Sequence, residues 1–185
     1  QAETWQAPAP AGKCLPADLI RSQLITMARL GRPGPVASGL AALLPAVVGM
    51  PELSPSQHPD YSPKITRLQA ACKEGQAAGM AEALGAFLGL GPGLTPSGDD
   101  LVSGYLLAAN RWGRRLHPEL DFNELNQRVV GHARRATSDL SASLIACAAR
   151  GQADERLILA LDGIVTAATE ASACVAALSC WGSSS

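Results

Sequence analysis

Aromatic side chains are scarce: three Trp, two Tyr and two Phe make up 4% of the 185 residues. A sheet core drawn from aromatic and β-branched side chains is therefore not expected, nor is a platform of rings for stacking bases. Charge of one sign is also lacking, since 15 Lys and Arg face 16 Asp and Glu, a formal net charge of −1. Without a basic face to neutralise phosphates, nucleic acid is not an expected partner. Cysteine is present but unpaired in pattern. Cys14, Cys72, Cys147, Cys174 and Cys180 are odd in number and include no CxxC. This argues against a disulfide framework and a structural zinc site, and for reduced thiols in a cytoplasmic protein. Long uninterrupted apolar runs are missing too. Pro45 breaks the run from Gly39 to Met50, and Asp162 and Glu170 charge the one from Leu157 to Leu178. No membrane span is expected. The chain opens at Gln1 with neither Met nor a signal-peptide pattern, which reads as a fragment or a trimmed chain.

What is abundant is Ala and Leu, within a hydrophobic share of 47%. These residues favour helices, and the length suits one domain with a good core. Residues 1–16 (QAETWQAPAPAGKCLP) read as a Pro/Ala-rich tether, and residues 17–185 as a helical domain. A helix is expected from Ala17 to Leu30, with Leu19, Leu24, Met27 and Leu30 toward the core. A short helix follows from Val36 to Leu44, then a loop over residues 51–62. Ser62 and Pro63 read as a cap and a first-turn proline, opening a helix that reaches Leu88. Gly75 and Gly79 share one face of it, which suggests a closely packed neighbour. Leu101, Val102, Tyr105, Leu106, Ala108, Ala109 and Trp112 form a broad stripe on a largely buried helix. Asp121 and Glu124 resemble a capping box for a helix ending near Ala136. Thr137 and Ser138 cap the next, which Gly151 ends. The segment from Asp154 to Trp181 reads as two helices with a break at Gly163. The fold class is mainly α, a compact domain of about seven to eight helices.

The most informative stretch is GLGPGLTPSGDD, Gly89 to Asp100. Its glycines admit positive φ and let a ligand approach the backbone, while Pro92 and Pro96 shape the loop. A helix N-terminus follows, with unpaired N–H groups suited to a phosphate or carboxylate. It is neither a Walker loop, which needs GK[ST], nor a dinucleotide fingerprint. The candidate substrate-binding residues are Gly91, Gly93, Thr95, Ser97 and Gly98. Asp99 and Asp100 are candidates for catalysis, for a substrate N–H, or for Mg²⁺. With Ser97 as N-cap, Asp99 is N2 and Asp100 is N3; with Thr95 as N-cap, both lie further into the helix. The competing reading of the stretch is a turn plus a helix cap. Arg134 is a further candidate, as an anion clamp or a cation complementing a helix end, with Arg135 beside it. Thr137, Ser141 and Ser143 either line the site or cap and pack. His58, His117 and His132 are scattered without ligand spacing, and no Ser-His-Asp or Cys-His arrangement emerges.

GLGPGLTPSGDDLVSGYLLA resembles the AllH-like family, whose members carry a nearly identical Gly/Pro-rich stretch ending in an aspartate pair. TSDLSASLIACAARG, from Thr137 to Gly151, is a looser match, and GSSS at Gly182 to Ser185 a third. The resemblance implies a subunit of an oxamate carbamoyltransferase in anaerobic allantoin use. That reaction moves a carbamoyl group between oxalurate and phosphate, giving oxamate and carbamoyl phosphate. It implies other subunits as partners, and full-length members of α+β class with a more β-rich N-terminal portion. Two bare aspartates would repel such anions, so binding at the loop is expected to need Mg²⁺ or a basic residue such as Arg134. The alternatives are a non-catalytic helical scaffold whose loop fits a partner subunit, and a metal-dependent hydrolase using the Asp pair with Asp139 or Glu170.

Overall fold

The structure is a computed structural model and describes residues 6–30 and 61–166, with side chains to residue 26 in the first of these. The expected helix at 36–44, the loop before Tyr61, the tail beyond Thr166, Cys174, Cys180 and the GSSS run lie outside the described residues. Within them all regular structure is helical. The helices are α1 (Ala17–Leu30), α2 (Ser62–Glu74), α3 (Ala77–Gly85), α4 (Ser97–Ala108), α5 (Phe122–Ala136), α6 (Asp139–Ala148) and α7 (Glu155–Thr166). None is long and apolar enough to cross a membrane. The centre is made by α3 on α5 and α4 on α6, with α5 also against α6, α2 against α3, and α1 against α7. Alanines at 77, 81, 83, 133, 142 and 148 are buried at these crossings. Small side chains let the axes approach while Leu84, Phe87, Leu106, Leu125 and Ile145 fill the space between them.

Local signals explain most boundaries. Asp121 caps α5, its Oδ1 accepting the amides of Asn123 and Glu124 at 2.9 Å each. Glu124 does not close the box; it pairs with Arg128 at 2.7 Å. Ser138 caps α6 by accepting the Ser141 amide at 3.2 Å. Gly151, at φ +71°, ends the turn after α6. The single helix expected from Ser62 to Leu88 is instead two. Gly75 takes a left-handed φ of +68° and its amide donates to Ala71 O, a glycine C-cap that ends α2. A Cβ on Gly75 or Gly79 would meet nothing within 4 Å, so neither glycine makes room for a neighbour. Tyr61, not Ser62, is the N-cap of α2, because its carbonyl already accepts the Ile65 amide. The Ser62 hydroxyl is left buried without a partner. Leu19 is 48% exposed rather than in the core, since α1 packs mainly on α7 at the edge of the bundle. The break expected at Gly163 does not form: α7 runs through it, with Gly163 buried, to Thr166.

After α4 the rod continues through a π turn, Ala109–Gly113, and one last α turn, Arg114–Leu116. Asn110 donates its side-chain amide to Leu106 O, competing with the main chain inside the turn. The turn leaves Arg111, Trp112 and Gly113 consecutively buried. Asp162 on α7 meets them. It receives Arg111 Nε at 3.0 Å and Nη2 at 2.5 Å, and Trp112 Nε1 at 2.7 Å. Arg111 also donates to the carbonyls of Gly151 and Pro8, and Arg115, stacked over the Trp112 ring, to those of Pro10 and Gly12. Residues 6–16, which form no helix before Ala17, lie along this rod, and the Leu15 amide reaches Val165 O.

Candidate functional site

The Gly/Pro-rich stretch links α3 to α4, and its ends are held by the chain itself. Gly89 stands at φ +74°, and its amide donates to Asp99 Oδ1 at 2.8 Å. A Cβ there would lie 2.8 Å from Ala136 O. Gly98 is packed harder: a Cβ would lie 1.9 Å from Phe87 O. At these two positions the missing side chain admits the chain's own backbone. Gly91 and Gly93 occupy the exposed crest, at positive φ, and a Cβ on Gly93 would meet nothing. Beyond the crest the Leu94 carbonyl accepts the hydroxyls of Ser138 at 2.9 Å and Ser141 at 3.3 Å. The loop is thus fastened to the start of α6.

Helix α4 starts differently from both registers considered. Pro96 is the N-cap residue, and its carbonyl accepts the amides of Asp99 and Asp100. Gly98 N–H donates to Leu90 O at 2.9 Å. The donors of the first turn are therefore partly spent within the chain. Asp99 and Asp100 separate in role, as neighbours on a helix do. Asp99 is 1% exposed, with one oxygen on the Gly89 amide and the other accepting the Thr137 hydroxyl. Asp100 is exposed and bonds to neither. Its carboxyl is held above the ordinary value, by partial burial first and by the Asp99 charge second.

Thr95 and Ser97, half-buried on either side of Pro96, make no side-chain hydrogen bond among the described residues. Thr137 is joined to the pair through Asp99. Arg134 is not brought to the loop crest: it lines a hollow with Asn126, Gln127, Val130, Ala146 and Arg150. Arg135 turns into another, beside Leu88 and Ala136. Among the described residues no group of three or more His, Cys, Asp or Glu side chains could hold a metal ion. Sequence reasoning passed over Ser138 and Ser141 as loop anchors, and over Arg111 with Asp162. Only the charge of Asp162 within an apolar run hinted at the latter.

The family model for oxamate carbamoyltransferase subunit AllH matches residues 87–185. The chain belongs to this family. No curated protein and no solved structure matches it. The AllH match begins at Phe87, two residues before the loop, and takes in all the elements just described as fastening it. Membership makes the chain a subunit of a multi-subunit enzyme.

The Asp99–Thr137 contact is testable within this geometry. Thr137→Val keeps the shape and the extended backbone but removes the donor from a buried carboxylate oxygen. It is expected to cost about 1–3 kcal/mol, read as a fall in thermal midpoint. An unchanged midpoint would mean that Asp99 has another donor.

Proposed function

We propose that this AllH chain contributes a small-anion site to carbamoyl transfer, built on the loop crest and the start of α4. The observation that supports it is a crest pinned at both ends with its own donors unspent. Among the described residues the amides of Gly91, Gly93, Leu94 and Thr95 make no hydrogen bond, while Asp99, Ser138 and Ser141 fix the backbone around them. Donors fixed in advance stabilise charge that develops in a transition state without reorganising. Carbamoyl phosphate, oxamate and oxalurate are all small anions. The Thr95 and Ser97 hydroxyls supply further donors, and Asp100 accepts a substrate amide N–H. Asp99 acts as a positioning residue.

The test is a thermal-shift panel of carbamoyl phosphate, oxamate, oxalurate and phosphate, each with and without Mg²⁺, on the chain and on Asp100→Asn. A ligand at a hundred times its Kd stabilises by about 2.7 kcal/mol. That shift should appear in the parent and shrink in Asp100→Asn. The variant itself should fold at least as well, because it removes a carboxylate whose ionised form the fold disfavours. A folded chain that responds to none of the four would overturn the reading. One observation favours a second reading, a scaffold contact: Leu94 on the crest is 76% exposed and Leu140 and Leu144 on α6 are 51% and 46% exposed. If the crest is a docking surface, Leu94→Ser breaks assembly with partner subunits and leaves ligand shifts intact.

A further inference from the structure

A separate hollow of about 360 Å³ lies between α2, α3 and α5. It is lined by Arg67 from α2, by Glu82, Gly85 and Ala86 from the end of α3, and by His132 and Arg135 from α5. Three basic side chains from two helices converge there in a chain whose net charge is −1. Neither guanidinium has a partner among the described residues. The remaining ionisable group is Glu82, whose Oε1 lies 3.8 Å from His132 Nε2, too far for a hydrogen bond. Gly85 shapes the floor: a Cβ there would lie 2.8 Å from His132 Nδ1, so the imidazole sits against bare backbone.

We propose that this hollow is a second anion site, for a tetrahedral phosphate group, either orthophosphate or the terminal phosphate of a small ester. Two guanidinium forks and an imidazole approaching from different helices suit four oxygens in a tetrahedron. A planar carboxylate is satisfied by one bidentate arginine. Glu82 opposes the anion and shares His132 with it. It sets the affinity low enough for release, and its removal should tighten binding. The site does not depend on the loop reading, since Arg67, Glu82 and Gly85 lie outside the segment matched by the family.

The experiment titrates the full chain with sodium phosphate by calorimetry and follows the His132 imidazole by long-range ¹H–¹⁵N NMR. Phosphate should move the His132 resonances. Arg67→Ala and Arg135→Ala should each weaken binding by about tenfold, and Glu82→Gln should strengthen it. Lys73→Ala, an exposed cation on the same helix as Arg67 but outside the hollow, should change nothing. Methyl phosphate separates the two sources: binding equal to orthophosphate identifies an ester terminus, and exclusion identifies the free ion. His132 resonances that stay still, or a Lys73→Ala effect as large as that of Arg67→Ala, would overturn the proposal. Circular dichroism confirms folding, and a folded Glu82→Gln that binds more weakly would also count against it.

Discussion

Asp162→Ala is expected to lower the stability of the fold by about 3–5 kcal/mol, nearer the lower figure because the carboxylate is partly solvated. The loss comes less from the attraction removed than from what is left behind. Arg111 would keep its charge in a site where its side chain is 3% exposed, and Trp112 Nε1 would lose its acceptor. For a domain of this length the thermal midpoint should fall on the order of 10 °C. Asp162→Asn should fall less, since an amide oxygen can still receive the indole. The double variant Arg111→Met/Asp162→Leu should recover most of the loss, because removing both charges removes the desolvation problem. If Asp162→Ala moved the midpoint by no more than an ordinary surface substitution, Arg111 would not be buried as described.

Gly98→Ala should be nearly as damaging, for a steric reason. Its methyl would lie 1.9 Å from the Phe87 carbonyl oxygen and 3.0 Å from the carbonyl carbon. A flexible side chain could swing away, but this carbonyl cannot. It belongs to a residue buried at 0% exposure and it accepts the Leu90 amide. The expected cost is about 3 kcal/mol, at the upper end for overpacking, together with loss of any ligand response at the crest. Gly104→Ala in the same helix is the matched control. A Cβ there meets nothing within 4 Å, the site is exposed, and the φ is ordinary. It should gain up to about 1 kcal/mol. Equal effects of the two substitutions would show that the loop does not press on α4 at Gly98.

These two cases mark what was legible in the residues. The caps at Asp121 and Ser138 and the stop at Gly151 were readable because each rests on partners within a turn of its own position. The helical class followed from Ala and Leu, and the buried rod from the stripe that ends at Trp112. Gly75 misled, because a glycine inside an apolar period reads equally as packing space or as a stop, and its φ decides. Pro96 was overlooked as a cap because it has no side-chain acceptor; its carbonyl serves instead. The role of Asp99 was out of reach for another reason. Its partners are 10 and 38 residues away, and nothing in the SGDD spacing points to Thr137. The Arg111–Asp162 pair is separated by 51 residues, and the π turn that buries Arg111 has no simple signature. Side chains whose meaning depends on tertiary contact cannot be read from local pattern.

The contacts of Arg111 and Arg115 with the first described residues have one more consequence. Both arginines hold carbonyl oxygens, those of Pro8, Pro10 and Gly12. Every amino acid carries that oxygen, so the rod recognises a path of the backbone and is indifferent to the letters along it. Evolution can therefore rewrite most of that stretch as long as its course is kept, with the exception of Gly12, whose φ of +92° favours glycine. Prolines, which donate no amide and stiffen φ, hold such a course at little cost. Across relatives, residues 6–16 other than Gly12 should diverge in identity while the two arginines that grip them stay fixed.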